Sequence, residues 1–136
     1  MVTLPFRIVL LDNRPDLPTM EANSYAHERR IIDYDDVAAQ VPDGDNSWVV
    51  IMTYGHHHDR RVLEGLLGRE YAYLGVLGSR AKIHQMFTDM KSEGAPAHEL
   101  DRVHAPVGLP IRSHTPEEIA VSIAGEIVAV RNGKDR

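Results

Sequence analysis

The segment from Trp48 to Leu77 constrains the fold more than any other part of the chain. Trp48-Val49-Val50-Ile51-Met52-Thr53 is a continuous apolar run rich in β-branched residues, which reads as a strand buried on both faces. Asp59 to Leu67 then places Val62, Leu63, Leu66 and Leu67 on one helical face. Tyr71 to Leu77 is a second strand that closes on Gly78-Ser79. Strand, helix and strand of these lengths form a crossover unit, and such units build α/β folds with a parallel sheet and helices on both faces.

The alternation extends in both directions. Phe6 to Leu11 is a buried strand stopped by Asp12 and the turn Asn13-Arg14-Pro15. Met20 to His27 is a short helix or an irregular loop. Arg29 to Asp33 is a weaker strand, Asp35 to Gln40 is short and helical, and Val41 to Asn46 is a turn. After Ser79, the residues Ile83, Met86, Phe87 and Met90 repeat at helical spacing until Gly94. Residues Pro106 to Pro110 form a turn-rich connection. Thr115, Pro116 and Glu118 supply a cap, a first helical residue and a capping box for a last helix. From Ile119 to Val130 that helix is apolar nearly all round, which predicts burial against the sheet or a partner, and residues 132–136 are expected to fray.

Bulk properties narrow the function. At 136 residues the chain fits one ordinary domain, taken as residues 1–136. Its apolar share of 43% and charged share of 26% are those of a folded protein. A net charge of −5 without basic clusters argues against a nucleic-acid face, because phosphate binding relies on clustered positive charge. With no cysteine there are no disulfides or thiolate metal sites. The first seven residues do not form a signal peptide, and no apolar run approaches the roughly 20 residues that span a bilayer. These features point to a soluble, cytoplasmic protein.

In parallel α/β sheets, ligands bind beyond the carboxyl ends of the strands. Three polar clusters fall there: Asp12 and Arg14, Thr53 to Asp59, and Gly75 to Lys82. Asp12 could hold a ribose hydroxyl as the acidic residue of a dinucleotide fold does, but the glycine-rich loop should lie about 20 residues earlier. Only eleven residues precede Asp12, and none is glycine. A simple turn cap is an equal reading. Thr53-Tyr54-Gly55-His56-His57-His58-Asp59 invites a metal, yet three consecutive histidines cannot all face one ion. A polar loop, with Asp59 helping to cap the next helix, accounts for it better, while His56 stays a candidate for ligand contact. Gly78 permits close backbone approach, Ser79 and the free amides of a helix start can hold an anion, and Arg80 and Lys82 add charge. An ordinary serine cap would leave the same local pattern.

Five segments, taken in order, carry a family resemblance. They are Leu11-Asp12-Asn13-Arg14-Pro15, Met52 to Asp59, Tyr73 to Lys82, Pro106-Val107-Gly108-Leu109-Pro110-Ile111 and Thr115 to Ile123. Together they are similar to the C-terminal Rossmann domain of the XdhC/CoxI family, the xanthine dehydrogenase accessory proteins. The resemblance implies a Rossmann-like, nucleotide-binding type of fold that here lacks the first strand and its Gly-rich loop, as if truncated at its N-terminus. It also implies binding of molybdenum cofactor (molybdopterin) and help in its sulfuration and insertion into xanthine dehydrogenase-type enzymes, with a sulfurtransferase as a further partner. By position, the ligand-facing candidates become Asp12, Arg14, Thr53, His56, Gly78, Ser79, Arg80 and Lys82, with no catalytic residue and no metal ligand assigned. The chain departs from the family in Tyr54-Gly55 and in the extra His57 and His58.

Three functions follow as expectations. The first is a cofactor carrier or chaperone rather than an independent enzyme. The second is an NAD(P)-dependent oxidoreductase domain, disfavoured by the missing phosphate loop. The third is an interaction module that uses the sheet edge left by the absent strand, an edge that also predicts a homodimer.

Overall fold

A computed structural model describes residues 6–14 and 26–133 of the chain. Among the described residues four strands form two parallel pairs. β1 (Val9–Asp12) pairs with β2 (Glu28–Ile31), and β3 (Gly44–Ile51) pairs with β4 (Tyr71–Val76). The expected crossover unit is therefore present, and the architecture is Rossmann-like. Instead of one continuous sheet there are two pairs, because no strand among the described residues bridges β1 and β3. Past β4, His104 adds a parallel bridge to Gly75.

Alternation along β3 and β4 divides the core. Ile51, Leu74 and Val76 are buried on one face with Val62, Leu63 and Leu66 of α2 (His56–Leu66) and Ile83, Met86 and Met90 of α3 (Arg80–Ser92). Tyr34 of a single 3-10 turn, Val37 of α1 (Val37–Gln40) and Leu100 of α4 (Ala97–Leu100) join them. On the opposite face, Tyr73 packs with Val107 and with Ile123 of α5 (Pro116–Gly133), flanked by Trp48 and Val50. Helices thus cover both faces. Gly75 lies on this second face, where a Cβ would come within 2.3 Å of Val107, so glycine is what lets the 106–108 loop press against β4.

Several expected boundaries shift. β3 starts at Gly44, inside the stretch 41–46 read as a turn, because the Gly44 amide reaches the Glu70 carbonyl at 2.6 Å. α2 starts at His56 rather than Asp59, so the three histidines occupy its first turn instead of a loop. Asp59 does not cap α2. Its side chain reaches back to the amide and hydroxyl of Thr53. The last helix begins as expected, with Thr115 Oγ1 accepting from the Glu118 amide and Glu118 accepting from the amides of His114 and Thr115. Against the sheet it is only partly buried: Ser122 and Ile123 are buried, Ile119, Ile127 and Val130 pack beside them, and Val121 is 51% exposed. The reason is that α5 rests on a pair only two strands wide, which covers one strip of its surface. The readings for 20–25 and 134–136 lie outside the described residues.

Candidate functional site at the carboxyl ends of the strands

The chain leaves β1 through a tight turn held by Asp12. Its Oδ1 accepts from the Arg14 amide at 2.9 Å and from Arg14 Nε at 3.1 Å, while Oδ2 accepts from Nη2 at 2.8 Å. These charge-assisted bonds, with the Arg14 side chain contributing most, hold the Asp12 carboxyl below the usual aspartate range. The Arg14 guanidinium in turn lies over the Tyr54 ring, 4.2 Å from its centroid, and the Tyr54 hydroxyl donates to Asn13 Oδ1 at 2.9 Å. The ends of β1 and β3 are thereby joined.

Tyr54 was not legible as a site residue. It is half exposed, at 46%, and its ring also meets His58 with centroids 4.4 Å apart. Tyr34 approaches His58 from below at 5.8 Å, and its own burial raises its hydroxyl pKa. Within this aromatic cluster the buried Nδ1 of His58 has no hydrogen-bond partner. Thr53 is held inward, its amide donating to Asp59 Oδ1 at 2.8 Å and its hydroxyl lying 2.7 Å from the same oxygen. The backbone of His56 begins α2, and its side chain lies outside the described set.

Beside this lies the turn after β4, anchored where the Leu77 amide donates to the Ile51 carbonyl at 2.9 Å. Ser79 caps α3 by accepting from the Lys82 amide at 3.2 Å. Gly78 faces Ile83, which a Cβ would meet at 3.2 Å. Arg80 and Lys82 are exposed and engage in no ion pair among the described residues. The first amides of any helix have no intrahelical acceptor, and α2 has no side-chain cap. Two helix starts, α2 and α3, therefore present donors at the same end of the β3–β4 pair. Of the sequence candidates, Asp12, Arg14 and Thr53 meet around the β1 and β3 ends, and Gly78, Ser79, Arg80 and Lys82 stand beside them. Among the described residues no group of three or more His, Asp or Glu side chains is arranged to hold a metal ion. No helix among them is long and apolar enough to cross a membrane.

Comparison with known proteins agrees with this architecture. A family model described as the XdhC Rossmann domain matches residues 1–127. An uncharacterized protein YqeB of Escherichia coli (strain K12) is 37% identical over 87 residues, which are 64% of this chain and 16% of that protein. A protein of Bacillus subtilis (strain 168) described as a probable xanthine dehydrogenase subunit is 33% identical over 82 residues, 60% of this chain and 23% of that one. The crystal structure of a xanthine dehydrogenase from Bacillus halodurans superposes with a TM-score of 0.78 at 28% identity, over 94% of this chain and 36% of that one. The match thus spans about a fifth of the curated relatives' length, and about a third of the solved chain.

Proposed function

This chain belongs to the XdhC family as its Rossmann domain, and from that premise we propose that it holds a phosphorylated, planar heterocyclic cofactor, molybdopterin, for a xanthine dehydrogenase-type hydroxylase. The observations that support this reading most are the Arg14–Tyr54 stack beyond β3 and the capped start of α3 beyond β4, which the parallel pairing of the two strands puts at one end of the sheet. With Arg14 on one face of the Tyr54 ring and His58 against the other, the flat surface offered to a heterocycle is the outer face of the Arg14 guanidinium, which Tyr54 holds in place from behind. The Ser79 turn, with Arg80 and Lys82, offers amides and positive charge to a phosphate.

The residues present fit such a group in these two respects, and the unpartnered Nδ1 of His58 leaves hydrogen-bonding capacity beside the ring. When bound, the cofactor would supply the molybdenum centre that the recipient enzyme uses. This chain's own residues bind and orient it. Residues 1–136 contain no cysteine and so supply no thiol of their own to carry sulfur. The role is that of a carrier rather than of an independent enzyme.

Separate calorimetric titrations with molybdopterin and with NAD test the reading. Saturable molybdopterin binding, weakened about tenfold by Arg80→Ala through loss of one charge-assisted contact of ~1.5 kcal/mol, is the expected result. Saturable NAD binding without molybdopterin binding would refute it, and an unchanged affinity in Arg80→Ala would remove the α3 turn from the site.

A further inference from the structure

α5 carries apolar residues nearly all round, yet the sheet uses one of its faces. Ile119, Ile123, Ile127 and Val130 pack with Tyr73, Trp48 and Val50. The opposite face holds Val121, 51% exposed, followed by Ala124 and Val128, both half-buried. The loop before α5 extends this apolar surface. Leu109, 38% exposed, lies against Gly125, where a Cβ would meet it at 3.0 Å, and its carbonyl accepts from the amide of the half-exposed Ile111 at 2.8 Å. Single exposed aliphatic residues are ordinary on a protein surface, whereas adjoining ones mark an interaction face.

Along that face Glu117, Val121, Ala124, Val128 and Arg131 follow at intervals of four, three, four and three, the spacing of a coiled-coil seam. Opposite charges close the seam at its two ends. Glu117 and Arg131 engage in no ion pair among the described residues, and the Arg131 guanidinium lies 5.8 Å from the centroid of the Phe6 ring.

We propose that this face binds a second copy of the chain, α5 against α5 in antiparallel sense about a twofold axis through Ala124. The face is complementary to its own reverse. An axis at Ala124 sets Glu117 beside Arg131 of the second copy and Val121 beside Val128 of the second copy, and each contact occurs twice. A parallel pair would set Glu117 on Glu117 and Arg131 on Arg131, so the charges select the antiparallel register. A partner of different sequence would need the same charge order by coincidence; a second copy carries it by symmetry. The alanine on the axis, with Ala120 and Gly125 beside it, lets the helix axes approach to about 8 Å.

Each copy contributes a strip ~27 Å long and ~10 Å wide, widened by Leu109 and Ile111. That area is at the low end of specific interfaces, so the pair is reversible, with a dissociation constant on the order of 100 µM. None of the candidate site residues at the strand ends takes part, so the pairing is independent of cofactor binding.

Sedimentation equilibrium of the 136-residue chain, from about tenfold below to about tenfold above that constant, tests the pairing. A monomer that converts to a dimer across this range is the expected result. Val121→Glu should keep the circular dichroism of the wild type and weaken association at least about tenfold, by placing a charge in the seam. Glu117→Arg alone and Arg131→Glu alone should each weaken it about threefold to fivefold, and the two together should restore it. Three results would overturn the proposal: a monomer at every concentration, a dimer that Val121→Glu leaves unchanged, as pairing through a strand edge would give, or a double charge variant that associates no better than the single ones.

Discussion

Replacing Tyr73 by Phe removes one oxygen atom from the most buried polar contact between the sheet and α5. Tyr73 is 1% exposed, its hydroxyl donates to Glu126 Oε1 at 2.5 Å, and the same oxygen accepts from the Gly108 amide at 3.2 Å. His104 stacks on the Tyr73 ring with centroids 4.5 Å apart and lies 3.8 Å from Glu126. A hydrogen bond to a charged group contributes about 1.5–3 kcal/mol, and phenylalanine leaves no cavity, so that range is the expected loss. For a chain of this size it corresponds to a fall in Tm of roughly 5–12 °C. Burial, followed by the Glu126 contact, pushes the Tyr73 hydroxyl pKa well above its ordinary value of 10. A group whose folded pKa is raised stabilises fully below its unfolded pKa and loses that contribution as pH rises above it. The wild-type chain should therefore lose stability progressively above about pH 10, and Tyr73→Phe should flatten that alkaline limb. Denaturant melts between pH 7 and 11 measure both effects, with Glu126→Gln as a partner variant that should be non-additive with Tyr73→Phe. An unchanged Tm together with an unchanged alkaline limb would refute the assignment.

Gly108→Ala should be comparably costly. Its φ of 97° and a Cβ placed 2.4 Å from Ser122 Oγ combine backbone strain and overpacking into a loss of about 2–4 kcal/mol, measurable as a lower urea midpoint at constant m. Asp59→Ala should cost about 1–3 kcal/mol by leaving the half-buried Thr53 amide without its acceptor, while the hydroxyl keeps the Gly55 carbonyl; a Tm within ~2 °C of wild type would show that water replaces the carboxylate.

What the sequence made legible tracks the range of the interactions involved. The β3–α2–β4 unit was readable because Val62, Leu63 and Leu66 repeat within one helix, and strand alternation needs only neighbouring residues. The start of α5 was readable because Thr115 and Glu118 satisfy amides within three positions of themselves. The start of α2 was misplaced for the converse reason: Gly55 leaves no side-chain signature at the cap, and the histidines look like loop residues. The burial of α5 depended on how wide a sheet lies beneath it, a quantity set by strands far away in the chain. Tyr73 and Glu126 are 53 positions apart, and nothing local to either announces the pair. At the candidate site, the glycine and serine of the α3 turn were visible as residue types with known conformational uses. Tyr54 was not, since an aromatic residue in a loop becomes a stacking surface only once Arg14 is brought over it.

The same stack bears on which ligand the edge prefers. A carboxylate offers about four lone-pair sites, and Arg14 already engages Asp12 three times. Gripping both hydroxyls of a ribose would require Arg14 to withdraw, breaking a bidentate pair and the contact with Tyr54 together. A heterocycle stacked on the outer face of the Arg14 guanidinium leaves the pair and the Tyr54 contact intact. Arg14→Ala should therefore act in opposite directions on the two ligands. Molybdopterin affinity should fall about threefold to tenfold, from a cation–π and charge contribution of ~0.7–1.4 kcal/mol, while NAD affinity holds or rises as Asp12 is released. Calorimetry of the variant with each ligand reads the two affinities directly. Parallel losses of both would mean that Arg14 serves any anionic ligand alike, and that its pairing with Asp12 does not select between them.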